Sequence, residues 1–301
     1  MAFAFNFDSI DITEFGVGSD NGDGRTFSLV AVDEKVQKAL QEMVEATREQ
    51  LNKAGANPAQ YEPSDKYASL EHLIVPLDDD LAESLKTLHQ TNNYPFDCST
   101  LDTPGGVFCY FARLQDTDGK RLTGVRRASQ FKSTLSKKLL SWFDDSLKVV
   151  ERNIFRLDMD FDLLIDENNI HILRPSGFEF VGQLKEAILA AVPTNIEEIK
   201  SQVDFIEFDS IQEYASTHPR AARYLASIRT FGEANNISKN KLKDACAQLG
   251  VEIGEEEGKI MVDNKNIMGF LEILDRRRYE IELVDGEPEQ FRAASRSKLT
   301  S

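Results

Sequence analysis

One stretch of this 301-residue chain has the composition of a catalytic site: Asp158-Met159-Asp160-Phe161-Asp162. On an extended strand the three aspartates share one face, and Leu157, Met159, Phe161 and Leu163 share the other. Carboxylates stacked on one face repel each other unless a divalent cation or basic side chains neutralise them. With a cation bound, the row would serve a metal-dependent nuclease, Asp158, Asp160 and Asp162 as ligands and His171 on the next strand as general base. With arginines in that place, it is a half-buried structural face. The following strand, Ile170-His171-Ile172-Leu173-Arg174, lacks the positioned lysine of restriction-type nucleases, so the structural reading is preferred.

Other chemistry-bearing patterns fail on spacing. Ser19-Asp20-Asn21-Gly22-Asp23-Gly24 resembles a calcium loop but puts Val30 where a bidentate glutamate belongs. Gly254 to Ile260 imitates a P-loop with three glutamates where phosphates would sit and Ile260 where a hydroxyl must meet magnesium. The sequence contains no G-x-S-x-G, H-E-x-x-H or G-x-G-x-x-G, so no cofactor and no metal is expected. The four histidines and three cysteines lack zinc-ligand spacing, and widely separated, odd-numbered cysteines suit free thiols in a reducing compartment.

The second stretch with chemical meaning is basic. Lys120, Arg121, Arg126, Arg127, Lys132, Lys137 and Lys138 occur without an acidic residue among them. A segment of +7 in a chain of −16 leaves −23 on the rest. Such a field attracts a polyanion locally, because exposed charges beyond roughly 8–10 Å are screened at physiological salt. Ser129, Gln130, Ser133, Thr134 and Ser136 add donors for phosphate oxygens. Phe131 is the lone aromatic within it, so sequence-independent grip on duplex DNA is expected rather than base stacking. Pairing with the acidic surplus elsewhere is the competing use of these charges.

The elements that must position these residues follow from apolar periodicity. Strands are predicted at Phe7–Phe15 and Thr26–Val32, joined by a glycine-rich loop over 16–24. A helix capped by Asp33 carries Val36, Leu40, Met43, Val44 and Leu51 on one stripe and stops at Gly55. A strand at Leu70–Pro76 and a helix opened by Asp78-Asp79-Asp80 follow. Beyond the Asn- and Pro-containing stretch 92–106, Val107–Gln115 and Lys120–Ser129 form a hairpin, Leu135–Val150 is ambiguous, and Asn153–Ile165 pairs with Ile170–Arg174. Helices at Phe178–Val192, Thr194–Val203, Ser210–Thr217, Arg220–Thr230 and Ser238–Leu249 come next. A hairpin at Val251–Val262, a helix with Ile267, Phe270, Leu271 and Leu274, and a strand at Tyr279–Val284 complete the pattern. The tail 290–299 reads as a docking helix or a frayed end.

Strands in runs, then helices in runs, indicate an α+β fold: a largely antiparallel sheet with segregated helices in two subdomains. The expected division is 1–106 as an N-terminal α/β region and 107–301 as a second domain. The latter is strand-rich over 107–174, helical over 175–249, and ends in a small strand–helix–strand unit over 250–301. With 41% hydrophobic and 29% charged residues the chain can bury a sizeable core. Lacking an 18-residue apolar run and a signal-peptide pattern, it is expected in the cytoplasm.

Two passages carry a family resemblance. Phe155-Arg156-Leu157-Asp158-Met159-Asp160-Phe161-Asp162-Leu163-Leu164-Ile165, with Ile170-His171-Ile172-Leu173 and Phe178-Glu179, resembles the KwaB-like family, the soluble component of the bacterial Kiwa antiphage system. So does Lys265-Asn266-Ile267-Met268-Gly269-Phe270-Leu271-Glu272-Ile273-Leu274-Asp275, followed by Arg278-Tyr279. The resemblance runs from Val107 to the C-terminus. It implies an antiviral effector that binds DNA as a homodimer and acts at the inner membrane face with a KwaA-like membrane protein. It carries over no catalytic residue, so the basic segment is assigned to double-stranded DNA from its charge. The alternatives are the nuclease described above and a protein-interaction adaptor without DNA contact.

Overall fold

The first strand, β1 (Ile10–Asp20), determines how the chain is divided. It pairs antiparallel with β5 (Val107–Asp116) from Ile10↔Asp116 to Ser19↔Val107, so the expected boundary at 106 falls inside one sheet. The computed structural model describes residues 5–20, 24–55, 57–97, 106–128, 140–143, 146–149, 156–232, 234–283 and 286–293, with backbone alone for 140–143 and 146–149. It forms two units: Met1–Tyr61 with Tyr67–Gln183, and Glu62–Lys66 with Leu184–Ser301.

The first unit is built on an eight-stranded sheet. β2 (Arg25–Val30), β3 (Ala59–Gln60), β4 (Leu73–Pro76), β6 (Arg121–Arg127), β9 (Leu163–Ile165) and β10 (Asn169–Ile172) join β1 and β5 in the order β2-β1-β5-β6-β9-β10-β4-β3. Every neighbouring pair is antiparallel except β3–β4, which confirms the α+β class. The ambiguous stretch after β6 contributes a separate hairpin, β7 (Leu140–Phe143) with β8 (Ser146–Val149).

The glycines expected in a loop partly lie inside β1. A Cβ on Gly16 would stand 2.1 Å from Cζ of Phe111, and one on Gly18 would stand 2.7 Å from Sγ of Cys109. Their absence lets the large side chains of β5 cross β1 at close approach.

Helix α1 (Glu34–Ala54) starts as predicted, with Asp33 Oδ1 accepting from the Val36 amide at 2.9 Å. It lays Leu40, Met43, Val44 and Leu51 against Val17, Tyr110, Ala112, Leu122 and Leu164 on one sheet face. Helix α2 (Glu83–Gln90) covers the other: His89 Nδ1 meets Thr123 Oγ1 at 2.9 Å, and Thr123 alternates with Leu122. Both faces of β5 are covered, which explains why its sequence runs apolar almost without alternation.

The strand predicted over 153–165 is corrected. Among its described residues ladder pairing is confined to β9, and 156–162 is an irregular connection. Phe161 bends it inward: its amide donates to Thr47 Oγ1 of α1 at 2.8 Å, and its ring lies over Gly124. A Cβ on Gly124 would approach that ring to 2.6 Å. Unit one closes with α3 (Pro175–Val181), which begins at its proline and ends before Gln183 at φ 59°. The single helix predicted over 178–192 is therefore split.

The second unit is helical. α4 (Lys185–Ala190), α5 (Val192–Lys200), α6 (Asp209–Ala215) and α9 (Ile267–Leu274) pack around α7 (Pro219–Thr230), whose Ala221, Ala222, Leu225, Ala226 and Ile228 are buried. The helix predicted over 238–249 is α8 (Lys239–Gln248), beside the hairpin β11 (Gly254–Glu256) and β12 (Lys259–Met261). The last predicted strand, β13 (Arg278–Glu282), pairs with β14 (Pro288–Arg292), so the front of the tail, read as a docking helix or a frayed end, is a strand.

Candidate nucleic-acid interface

Strand β6 carries the described half of the basic segment, and strand alternation divides it. Leu122, Gly124 and Arg126 face α1, whereas Arg121, Thr123 and Arg127 face the opposite side. The four described cations do not form a single stripe. Lys120, just before the strand, and Arg127, at its end, stand about 23 Å apart at the usual rise per residue. Lys132, Lys137 and Lys138 lie outside the described residues.

Arg126 collects the aspartate row. Its Nε donates to Asp158 Oδ2 at 3.2 Å, and its Nη1 donates to Asp160 Oδ1 at 3.3 Å and Asp162 Oδ1 at 2.8 Å. Arg174 clamps the other side, with Nη2 to Asp160 Oδ2 at 2.8 Å and Nη1 to the Phe161 carbonyl at 3.0 Å. Tyr110 donates its hydroxyl to Asp158 Oδ2 at 2.9 Å and accepts the Asp158 amide at 3.0 Å.

Asp162 is the hub and is only 3% exposed. Its Oδ2 accepts the Arg127 amide at 2.8 Å, and its carbonyl accepts the amides of Leu173 and Arg174. Gly177 makes room for it, since a Cβ there would lie 2.3 Å from Asp162 Oδ2. Burial pushes the Asp162 carboxyl above its ordinary range, and Arg126, the Arg127 amide and Arg174 offset this in part. Burial works against the charge on Arg126 too, but Asp162, Asp158, Tyr110 and Asp160 outweigh it and raise its pKa. Arg126 is therefore a protonated internal counterion.

The carboxylates expected to draw a divalent cation converge on guanidinium groups. Among the described residues, no group of three or more His, Cys, Asp and Glu side chains is arranged to hold a metal ion. His171 is engaged elsewhere: its Nε2 lies 3.1 Å from Asp166 Oδ2 and its ring 5.9 Å from that of His72. Asp166 also accepts the amides of Asn168 and Asn169, which fastens the β9–β10 turn. Burial disfavours its charge, yet His171 and the two amides hold the carboxyl below the usual range.

On the opposite face, Arg121 donates through Nη1 to the His89 carbonyl at 2.8 Å and through Nη2 to Asn92 Oδ1 at 3.0 Å, capping the end of α2. His89 is buried beside these groups, and desolvation, with Arg121 and Arg113 near, lowers its pKa to about 4. Lys120 is exposed, its amide donating to Asp116 Oδ1 in the β5–β6 turn. Arg127 is exposed as well and stacks its guanidinium 3.9 Å from the centre of the Phe180 ring.

Arg25 lies beside the same ring, 5.4 Å from its centre, and donates to the Phe180 and Val181 carbonyls at 3.1 and 2.9 Å. Sequence reading missed Arg25, Phe180, Arg174 and Tyr110. Arg25 and Tyr110 reach the cluster through non-local sheet pairing, and no local motif marks them. Arg174 ends the strand beside the acidic row, and the expectation of an arginine-neutralised face supplied its signal.

A family model described as Kiwa protein KwaB-like matches residues 109–283, more than half of the chain. No curated protein and no solved structure matches.

Proposed function

The chain belongs to the KwaB-like family, and from that premise we propose that it serves Kiwa antiphage defence by gripping duplex DNA without sequence preference. It does so as a homodimer, held at the inner membrane face by a KwaA-like membrane protein. No helix among the described residues is long and apolar enough to cross a membrane. The observation that carries the DNA reading is the basic run 120–138, which has no acidic residue within its own sequence and from which Arg127 emerges at the surface beside the ion-paired cluster.

The described cations have separate tasks in this reading. Arg126 and Arg121 hold the framework, and Lys120, Arg127, Lys132, Lys137 and Lys138 meet phosphates. Each phosphate neutralised releases condensed counterions, so affinity falls steeply with salt. Two copies in a dimer raise the grip through effective concentration.

The test is duplex binding by the full chain across a salt series. We expect a steep log–log slope, unchanged by chelator, that becomes shallower in K132E/K137E/K138E and in R127E. Arg126 is left intact, because its reversal would set a fourth carboxylate among three. A flat slope in the wild type would refute DNA binding and favour the adaptor.

A further inference from the structure

In the second unit, α7, α9 and β14 bring two arginines onto one carboxylate oxygen. Arg220, in the first turn of α7, donates through Nη2 to Glu272 Oε1 at 3.3 Å and to the Tyr224 hydroxyl at 3.2 Å. Arg292, the last residue of β14, donates through Nη1 to the same Glu272 Oε1 at 3.3 Å. The Tyr224 hydroxyl is a third donor to that oxygen, also at 3.3 Å. The Glu272 side chain is only 9% exposed, whereas those of both arginines are 56% exposed. The neighbouring charges pair with each other: Arg277 Nε donates to the fully buried Asp275, which also accepts from Ser227 Oγ at 2.7 Å.

This is a poor way to build a structural ion pair. Charge-assisted hydrogen bonds ordinarily run at about 2.7–2.9 Å, but three donors crowd one oxygen here and all stand at 3.3 Å. Among the described residues two cations share this one carboxylate, so a charge of +1 is left at the surface of a chain whose net charge is −16. Arg220 also stands where the helix dipole disfavours a cation, so helix stability does not explain it. What the arrangement supplies is orientation. A guanidinium is a planar fork of five donors. Glu272 and Tyr224 fix one nitrogen of Arg220, and Glu272 fixes one of Arg292, while more than half of each side chain stays in solvent.

Two neighbouring forks held in this way suit an oxyanion with acceptors in several directions, as a tetrahedral phosphate has; a planar carboxylate is served by one fork. The surroundings limit the size of the ligand. Glu282, Glu287 and Glu289 are exposed on the same hairpin as Arg292 and would repel an extended polyanion, whereas a compact dianion meets the local excess of positive charge.

We propose that Arg220 and Arg292 form a binding site for a small phosphate-bearing anion, inorganic phosphate or a phosphomonoester, with Glu272 as the carboxylate that holds the two forks in place. The site belongs to the second unit and the basic segment to the first, and neither reading depends on the other. Glu272 has two opposing effects in it: its oxygen orients the arginines, and its charge competes with the ligand. Glu272→Gln keeps an oxygen and removes the charge, so it should bind phosphate more tightly.

The experiment is calorimetric titration of inorganic phosphate into the full chain at about pH 8, where the phosphate is a dianion, with chloride holding the ionic strength constant. We expect saturable binding by the wild type, weakened at least about tenfold in R220Q and in R292Q and strengthened severalfold in E272Q. In a purely structural network all three substitutions would act in the same direction, so the opposite signs separate the two roles. Melting temperatures without phosphate report folding, and R292Q, on the exposed hairpin, carries the test alone if R220Q does not fold. No saturable binding by the wild type would overturn the proposal, as would unchanged binding in both arginine variants or weaker binding in E272Q. If duplex DNA displaces phosphate from the wild type and R292Q makes the salt slope of duplex binding shallower, the arginines are backbone contacts, and the small-anion site is wrong.

Discussion

Replacing Arg126 by methionine should destabilise the first unit by about 3 kcal/mol. The substitution keeps the length and apolar stem of the side chain but leaves Asp158, Asp160 and Asp162 facing one another across the space the guanidinium occupied. Removing one partner from a buried ion pair costs about 3–5 kcal/mol, because the other charge stays desolvated and unpaired. Arg126 keeps 18% side-chain exposure and Arg174 still serves Asp160, which places the expectation at the lower end. Asp162→Asn in the same background removes the most buried of the three charges, so the double variant should recover on the order of 1–2 kcal/mol relative to additivity.

Urea unfolding followed through amide hydrogen exchange of the eight-stranded sheet reads this unit separately from the helical one. With a slope of about 1–3 kcal/mol/M, a loss of that size moves the midpoint by at least about 1 M. A change below about 0.5 kcal/mol, typical of an exposed pair, would refute the internal-counterion role and return Arg126 to the pool of cations available for phosphate.

Gly177→Ala places a methyl 2.3 Å from Asp162 Oδ2, and should lower thermal stability by about 1–3 kcal/mol; an unchanged melting temperature would show that the close approach relaxes freely. Acid should weaken the fold through His89. Its folded pKa of about 4 lies below its ordinary value of 6.5, so the unfolded state binds the extra proton as pH falls through that window, and stability drops. The loss is about 2 kcal/mol between pH 7 and pH 5 from this group, and His89→Gln should flatten that part of a urea-midpoint profile. His72, also depressed by burial, adds in the same direction and should leave a smaller residual slope. Charge reversal at Arg127 alone should reduce the salt slope of duplex binding by about 1, one phosphate contact, while costing no more stability than its exposed stack on Phe180 is worth, about 0.5–1 kcal/mol.

Local sequence patterns identified many elements because short-range physics decides them. The Asp33 cap and the α1 stripe, the β5–β6 hairpin, the acidic turn of β11–β12 and the mixed antiparallel class all follow from capping, alternation and turn chemistry. The domain division did not, because the pairing of β1 with β5 links residues almost a hundred positions apart and no composition shift reports it. The basic run and the aspartate row were each legible, but not that one neutralises the other. Spacing specified two opposite charge clusters, and only the bend at Phe161 toward Thr47 brings Asp158, Asp160 and Asp162 onto Arg126.

The sequence by itself determined the charge inventory, the apolar faces of the elements and the family. Tertiary structure alone decided which charges are used internally and which reach solvent. Alternation along β6 sends Arg126 to one face and Arg127 to the other, and the difference between counterion and surface cation depends on what the rest of the chain packs against each face.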